Sequence, residues 1–346
     1  MTEPSRELPQ TALPDANEAQ FMATQRKGLR MFGRTGFEVS PICVGASGWG
    51  PKRDGESTAE RDERIGRLAS TVLAGERTVN DSTVNYIDTS NIYGRGESEA
   101  LIGAALKATG GIPSGFVVQT KLDRNLATND FSAAEMQRSL EESLTRLGLD
   151  RLQILFLHDP ENIGFDASMA AGGPVEALVK MKDAGLASAI GISGGPVGML
   201  QQFVETDLFD ALVTHNRFTL VDRSASALFD AATERNLGIN NAAPYGGGAL
   251  SGRPGTRDRY GYWPIRPEVR ASIDAMAQLC DDADVPLRAA ALQFSMRDPR
   301  IHSSIVGTSS LERLDEALED AAVHIPDDLW AELDRHLPPA ASALDA

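Results

Sequence analysis

The sequence has few cysteines and no long apolar run. Cys43 and Cys280 are the only two cysteines in 346 residues, too few for a disulfide framework or a cysteine metal site, and they fit a reducing compartment. Nowhere do about 18 apolar residues follow one another, as a membrane span needs. The first ten residues also lack the basic and apolar pattern of a secretory signal. We therefore expect a soluble, cytoplasmic protein.

Positive charge and histidine are also scarce. The chain has 33 lysines and arginines against 49 acidic residues, and its net charge of −16 opposes binding to nucleic acid or anionic membranes. Its five histidines show neither the H-x-H nor the H-E-x-x-H spacing, which disfavours a metal-dependent hydrolase. We expect a small-molecule substrate, no metal, no nucleic acid and no membrane partner, and the composition leaves the oligomeric state open.

What the chain does have is a regular alternation of short apolar runs with segments of helical periodicity. Eight β-α units without a long break favour an α/β fold, a single (β/α)8 TIM barrel, over two doubly wound sheets. The runs that predict strands lie at 41–45, 84–88, 116–121, 152–158, 187–192, 211–214, 238–241 and 303–306, and a helix is predicted at about 58–77 after the first of them.

The segments around this repeat predict three further features. Residues 1–27 are polar and contain three prolines, which indicates a mobile arm before a barrel spanning 28–337 and a tail at 338–346. The turn Gly33-Arg34-Thr35-Gly36 predicts an N-terminal β-hairpin over 29–39. The long segment 242–266 after the seventh strand is rich in glycine, arginine and aromatics, and we favour a lid over a disordered loop.

Three predicted strands end on ionisable residues, Asp88, Lys121 and His158, and Tyr93 follows the first of them by five positions. Each alone is common in loops, but groups at the carboxyl ends of successive barrel strands converge on one mouth. Hydride transfer between a carbonyl and an alcohol needs a proton donor, and a tyrosine suits this role if a cation lowers its pKa. Lys121 is the candidate cation, held by Asp88, and His158 is expected to bind the carbonyl oxygen.

The segment Tyr86–Glu99 resembles the signature of the aldo-keto reductases, in which an aspartate and a tyrosine five residues later belong to a catalytic tetrad. Lys121 and Leu157-His158 match the other two members, and the resemblance extends from Gly33–Ser40 to Ile305–Thr308. It implies a barrel that binds NAD or NADP in extended form. The chain agrees, because it lacks the strand, G-x-G-x-x-G, helix arrangement of a Rossmann site.

The resemblance also implies a set of cofactor-binding positions. Ser193 matches the residue that grips the nicotinamide amide, while Gly194 replaces the usual asparagine, His215 a frequent glutamine and Ala242 a frequent aromatic. Gly307 replaces a frequent lysine, which leaves the choice between NAD and NADP open. The glycines at 246–248 serve either the pyrophosphate or a flexible hinge. The cofactor positions implied are Ser193, His215, Gly246, Gly247, Gly248, Gly307, Thr308, Ser309, Arg313 and Glu316.

Two segments, Leu157–Glu161 and Pro244–Gly252, resemble those of bacterial sugar dehydrogenases of the D-threo-aldose and L-fucose type and of pyridoxal dehydrogenases. The resemblance implies oxidation of a cyclic hemiacetal to a lactone, with Tyr93 as base. A general NADPH-dependent aldehyde or ketone reductase is the alternative. A regulatory subunit that senses the cofactor is disfavoured by the complete tetrad. The aromatic residues predicted to contact substrate are Trp49, Tyr260, Tyr262 and Trp263.

Overall fold

Eight parallel strands close into one barrel, which confirms the predicted (β/α)8 fold. The computed structural model of the chain describes residues 28–253 and 255–345, so the predicted arm at 1–27 lies outside the described residues. The last strand pairs with the first, Ser304 opposite Ile42, and closes the ring. The strands are β1 (Ile42–Gly45), β2 (Tyr86–Asp88), β3 (Val117–Leu122), β4 (Leu152–His158), β5 (Ala187–Gly194), β6 (Ala211–His215), β7 (Gly238–Ala242) and β8 (Ser303–Gly307).

Amphipathic helices surround the barrel and bury their apolar faces against it. The first helix starts at a capping box made by Ser57 and Glu60, but it ends at Leu73, earlier than the expected span of about 58–77. Residues 74–77 form a turn and a short irregular segment, and a small hairpin, Thr78–Val79 with Ser82–Thr83, follows them. The helices are α1 (Thr58–Leu73), α2 (Glu97–Thr109), α3 (Ala133–Leu147), α4 (Phe165–Met169), α5 (Pro174–Asp183), α6 (Val197–Glu205), α7 (Ser226–Glu234), α8 (Pro267–Asp282), α9 (Leu287–Met296), α10 (Leu311–Ala322) and α11 (Asp327–Arg335).

The predicted N-terminal hairpin is confirmed, and it closes the bottom of the barrel. Arg30–Met31 pairs antiparallel with Glu38–Val39, and Phe32 at the turn is fully buried. The Phe32 ring meets Tyr86 edge-on at 5.7 Å between centroids. A Cβ at position 238 would lie 2.7 Å from the Phe32 ring, so β7 must begin with glycine for the Phe32 side chain to fit against it.

A layer of buried polar side chains lies inside the barrel just below the mouth. Asn240 Nδ2 donates to Tyr86 Oη at 2.9 Å, and the Tyr86 hydroxyl donates in turn to Gln119. Gln119 Nε2 then donates to Asp88 Oδ1 at 2.6 Å. Because these side chains are buried and hydrogen-bonded in series, the layer fixes Asp88 from below.

The segment predicted as a C-terminal tail folds back onto the loops around the mouth. Leu344 N donates to Asp222 Oδ2 at 2.9 Å, and Asp345 pairs with Arg217 at 2.9 Å. Throughout residues 28–253 and 255–345, every helix is too short or too polar to cross a membrane.

Candidate active site

The four residues of the predicted tetrad lie together at the mouth of the barrel. Asp88 and His158 are the last residues of β2 and β4, Lys121 is the next to last of β3, and Tyr93 opens the short 3-10 turn after β2. Lys121 Nζ lies 2.6 Å from Asp88 Oδ1 and 3.4 Å from Tyr93 Oη. The rings of Tyr93 and His158 meet edge-on at 5.7 Å. The buried ammonium of Lys121 is therefore the centre of the group.

The electrostatics of Tyr93 differ from the expectation that a cation lowers its pKa. Burial, followed by the negative charges of Asp88, Asp123 and Asp159, raises the pKa of Tyr93 well above its ordinary value. Asp88 forms an ion pair with Lys121, so the lysine charge is largely balanced before it acts on the phenol. The side chains of this protein alone therefore keep Tyr93 protonated, as a proton donor.

Asp123, two residues beyond Lys121, is a buried residue of this site that the sequence analysis missed. Its Oδ1 lies 2.5 Å from His158 Nδ1, and its Oδ2 accepts hydrogen bonds from the Ser90 hydroxyl and, at 3.2 Å, from Ile92 N. One carboxylate thus joins the histidine to the loop that leads into Tyr93. The only sequence signal was an acidic residue close to a predicted strand end.

The pair of Asp123 and His158 shifts both pKa values. Burial alone would raise the pKa of Asp123, but the charge and hydrogen bonds of His158, with further donors, lower it. Burial likewise lowers the pKa of His158, but the charges of Asp123 and Asp159 outweigh burial and raise the pKa of the imidazole. The bond at Nδ1 leaves Nε2 as the ring nitrogen available to a substrate oxygen.

The ends of β5 and β6 carry two of the predicted cofactor-binding residues beside this tetrad. Ser193 lies opposite His158 in the strand register and is buried. His215 ends β6, and its Nδ1 lies 3.0 Å from Asn216 Nδ2. Burial lowers the pKa of His215 to about 4, so it is neutral at pH 7. Both residues stand where a ligand over the tetrad would meet them.

A cavity of about 370 Å³ lies between the loops after β7 and β8. It brings together five predicted cofactor positions: Gly247, Gly248, Gly307, Arg313 and Glu316. The other three lie beside it in the same loops. Gly246 packs on the Tyr260 ring, Thr308 N donates to Gly45 O at 3.2 Å, and Ser309 O accepts from Arg64.

These residues fit a dinucleotide because several of their groups lack a partner in the protein. Thr308 Oγ1 is buried with no hydrogen bond, and a Cβ at Gly307 would meet open space. Among the described residues, no carboxylate lies within ion-pair distance of Arg313. An unpaired guanidinium, a free hydroxyl and exposed glycine backbone are groups that bind phosphate and ribose.

Residues 242–253 and 255–266, the described parts of the predicted lid, lie along this cavity. They contain the 3-10 turn Gly246–Gly248 and the antiparallel pair Arg259–Tyr260 with Trp263–Pro264. Gly261 N donates to Gly246 O at 3.0 Å and joins the two parts. Arg253 forms an ion pair with Glu316 of α10 and holds the predicted lid against the barrel. Sequence reasoning missed Arg253.

Two of the four aromatics predicted to contact substrate are buried and hydrogen-bonded within the protein. Trp49 is fully buried, and its Nε1 donates to Thr308 O at 2.8 Å. Tyr260 is buried as well, with its hydroxyl on Asn216 O at 2.9 Å. Their contact with substrate stays a prediction. Tyr262 and Trp263 are exposed, 64% and 48%, and Tyr262 lies 5.6 Å from His215 between ring centroids.

Three side chains at the mouth offer atoms that lie within 4.8 Å of one another: Asp159, Glu161 and His215. The sequence analysis predicted no metal site, and two of these side chains already have hydrogen-bond partners. Glu161 Oε1 accepts from Gly195 N at 3.0 Å, and His215 is paired with the neighbouring asparagine. The absence of a metal stays a prediction.

Comparison with known proteins agrees with this geometry. The chain is 34% identical over 279 residues to D-threo-aldose 1-dehydrogenase of Pseudomonas sp, covering 73% of this chain and 84% of that protein. It is 29% identical over 292 residues to L-galactose dehydrogenase of Arabidopsis thaliana (83% and 86%). It is 25% identical over 342 residues to pyridoxal 4-dehydrogenase of Microbacterium luteolum (88% and 96%).

A solved structure and a family model complete the comparison. The aldo-keto reductase AKR11C1 from Bacillus halodurans (holo form) superimposes with a TM-score of 0.69 at 20% identity, covering 92% of this chain and 97% of that one, and supports the fold. The model of the aldo/keto reductase family matches residues 41–338. The chain therefore belongs to the aldo/keto reductase family and is an oxidoreductase acting on carbonyl or CH–OH groups.

Proposed function

We propose that the chain is an NAD- or NADP-dependent dehydrogenase that oxidises the hemiacetal carbon of a small aldose to a lactone. The observation that carries the proposal is the contact of Tyr93 Oη with Lys121 Nζ at 3.4 Å, at a mouth shared with His158 and Ser193. Two of the relatives quoted above are named as sugar dehydrogenases, which supports an aldose as the substrate class.

The side chains divide the proton chemistry among them. In oxidation, Tyr93 Oη takes the proton of the substrate hydroxyl, and in reduction it returns a proton to that oxygen. Lys121 orients the phenol, Asp88 keeps the lysine charged, and His158 Nε2 binds the same substrate oxygen. When bound, a nicotinamide dinucleotide supplies or accepts the hydride that balances the reaction.

The cofactor-binding residues are proposed in two groups. Ser193 and His215 hold the nicotinamide end beside the tetrad, and the glycines 246–248 approach the pyrophosphate. The adenosine end lies in the cavity between the loops after β7 and β8, where the unpaired Arg313 supplies positive charge. The residues proposed for that end are Gly307, Thr308, Ser309, Arg313 and Glu316.

We also propose how the chain is divided into a barrel and a C-terminal segment. Residues 28–337 form the catalytic barrel, and the segment 338–345 packs on it. The cytoplasmic location expected from the cysteine usage is part of the same proposal, and both cysteines are free and buried.

Reduction of aldehydes is the second candidate, and one specific observation favours it. The raised pKa of Tyr93 leaves the phenol protonated at neutral pH, which is the state that donates a proton to a forming alkoxide. Because one relative is named as a pyridoxal dehydrogenase, pyridoxal is a candidate substrate as well.

The test is a screen that follows cofactor absorbance with aldoses, pyridoxal and simple aldehydes, run in both directions with NAD and NADP. We expect turnover of an aldose with an oxidised cofactor, faster as the pH rises, because oxidation requires the deprotonated tyrosine. Turnover confined to aldehyde reduction would select the second candidate. Fluorescence titration with NADH and NADPH decides the cofactor, and no binding of either would contradict the proposal.

A further inference from the structure

One buried carboxylate oxygen at the mouth has no hydrogen-bond donor. Glu161 lies in the loop after β4, and its Oε1 accepts from Gly195 N at 3.0 Å. Its Oε2 is buried and unpartnered among residues 28–253 and 255–345. A buried carboxylate oxygen without a donor is costly, and in native proteins such atoms commonly serve a ligand.

The unpartnered oxygen lies over Gly194, beside Ser193. A Cβ at position 194 would stand 2.7 Å from Glu161 Oε2, so the carboxylate occupies the space that any larger residue would need. The loop is held there because Asp159 N donates to Ser193 O at 2.8 Å. Gly194 is the position where the sequence departs from the usual asparagine of the family. Glu161 and Gly194 are thus complementary, because the absence of a side chain at position 194 leaves room for the carboxylate oxygen, which can accept a hydrogen bond there.

We infer that Glu161 Oε2 accepts a hydrogen bond from the carboxamide N–H of a bound nicotinamide, and that its charge favours the oxidised cofactor over the reduced one. The inference rests on the proposed function, because it requires a nicotinamide beside Ser193. The oxidised ring carries a positive charge and the reduced ring is neutral. In a site of low dielectric, a nearby carboxylate therefore stabilises the oxidised form selectively.

The surroundings of Glu161 supply no competing cation at ion-pair distance. Among the described residues, no lysine or arginine forms an ion pair with it, and Asp159 adds a second negative charge. Burial and the charge of Asp159 raise the pKa of Glu161, and backbone hydrogen bonds and the charge of His158 offset this rise only in part. A positively charged ring placed there would relieve both effects.

Two variants separate the hydrogen bond from the charge. Glu161→Gln keeps an acceptor oxygen and removes the charge, whereas Glu161→Ala removes both. Asp166→Asn is the matched control, because this exposed residue of the nearby helix α4 loses the same charge without facing the mouth. Circular dichroism and thermal unfolding establish that each variant is folded.

Binding, rather than turnover, is the readout. Four probes are titrated by calorimetry: the oxidised cofactor, the reduced cofactor, the 3-acetylpyridine analogue of the oxidised cofactor, and ADP-ribose. The analogue carries a methyl group in place of the amide nitrogen, so it cannot donate to Glu161. ADP-ribose has no nicotinamide and reports the adenosine end alone.

We expect the wild type to bind the oxidised cofactor about 10- to 100-fold more tightly than the analogue, as a hydrogen bond to a charged group allows. Glu161→Ala should lose that discrimination, with ADP-ribose binding unchanged. Glu161→Gln should weaken the oxidised form more than the reduced form, and the Asp166 control should match the wild type throughout.

Several results would overturn the inference. These are an unchanged discrimination in Glu161→Ala, an equal loss of ADP-ribose binding, a raised KM for substrate with intact cofactor binding, or loss of a bound metal from the variant by elemental analysis. A wild-type chain that binds none of the four probes would instead contradict the proposed function itself, so the two failures are distinguishable.

Discussion

The two sides of the barrel mouth differ in how completely their polar atoms are paired. On the catalytic side, at the ends of β2–β4, Asp88, Lys121 and His158 all have partners within the protein. On the binding side, at the ends of β5–β8 and the loop packed on them, buried oxygens of Glu161, Asn216 and Thr308 have none. Under the proposed function, this difference means that the groups that transfer the proton are held in place by the protein itself, whereas the polar atoms of the binding side would be paired by a ligand.

The largest effect is expected at the centre of the catalytic side. Tyr93→Phe removes the proton donor and should lower kcat by about 10²- to 10⁴-fold, the usual contribution of general acid-base catalysis. Cofactor affinity should stay nearly unchanged, because the phenol hydroxyl belongs to the paired side. Steady-state kinetics and a binding titration on the same preparation check both parts. A variant that retains most of its activity would show that the acid is another group.

Breaking the ion pair should affect both activity and stability. Lys121→Met leaves the Asp88 carboxylate buried without its cation, which should cost about 3–5 kcal/mol of unfolding free energy as well as the orientation of Tyr93. The double variant Asp88→Asn with Lys121→Met removes both charges and should recover most of the stability but none of the activity. Denaturant unfolding and kcat measure the two effects. Recovery of activity in the double variant would contradict the role of the lysine.

A smaller effect is expected from the carboxylate behind His158. Asp123→Asn should lower kcat about 10- to 100-fold, because a hydrogen bond to a charged group contributes roughly 1.5–3 kcal/mol. It should also lower the pKa of His158 toward its ordinary value. NMR titration of the imidazole and the pH profile of kcat measure the shift.

The same substitution has a predicted pH dependence of stability. Since the pKa of His158 is raised in the folded state, its contribution is fully present below the unfolded value of about 6.5 and is lost as the pH rises through the folded pKa. Wild type and Asp123→Asn should therefore differ most in this contribution below about pH 6.5, in the range where Asp123 is still ionised. An unchanged imidazole pKa would contradict the pairing.

The smallest effect is expected on the binding side, where the predicted lid is held by an ion pair at the surface. Arg253→Gln should weaken closure by about 0.2–1 kcal/mol, because both partners are about one-third exposed. The cofactor should then dissociate somewhat faster, as stopped-flow fluorescence would record. Arg257→Gln is a matched control: it removes a surface ion pair between the same loop and Asp274 of α8, and Arg257 does not line the cavity. Equal rates in the two variants would show that the predicted lid is not held by Arg253.

Features that depend on local sequence patterns could be predicted from the sequence. The β-α alternation predicts the barrel, and its strand ends place Asp88, Lys121 and His158 at one mouth, because this arrangement depends only on local periodicity. The hairpin was equally accessible, since its turn glycines mark it. The end of α1 was not, because a hairpin of two-residue strands carries almost no periodic signal.

Residues that act through contacts between distant loops could not be predicted. Glu161 and Gly194 are complementary only once the loop after β4 packs on the end of β5. Asp123 lies two positions after Lys121 in the sequence, but its hydrogen-bond partners Ile92 and His158 are 31 and 35 positions away. The full burial of Trp49, which is predicted to contact substrate, could not be inferred from its residue type. The direction of the Tyr93 pKa shift could not be predicted either, because burial and the negative charges of Asp88, Asp123 and Asp159 depend on the folded geometry.

The bond between Trp49 Nε1 and Thr308 O has a consequence for how the chain folds. It crosses the seam where the last strand docks beside the first, and its partners are 259 positions apart. Such long-range closure is slow, and the barrel is open until β8 arrives. A dinucleotide that binds at the Thr308 loop recognises only the closed form, and at 100 times its Kd would stabilise it by about 2.7 kcal/mol. The supply of cofactor would thus influence how much of the chain completes its fold, and the buried Trp49 indole is a natural fluorescent reporter of that step.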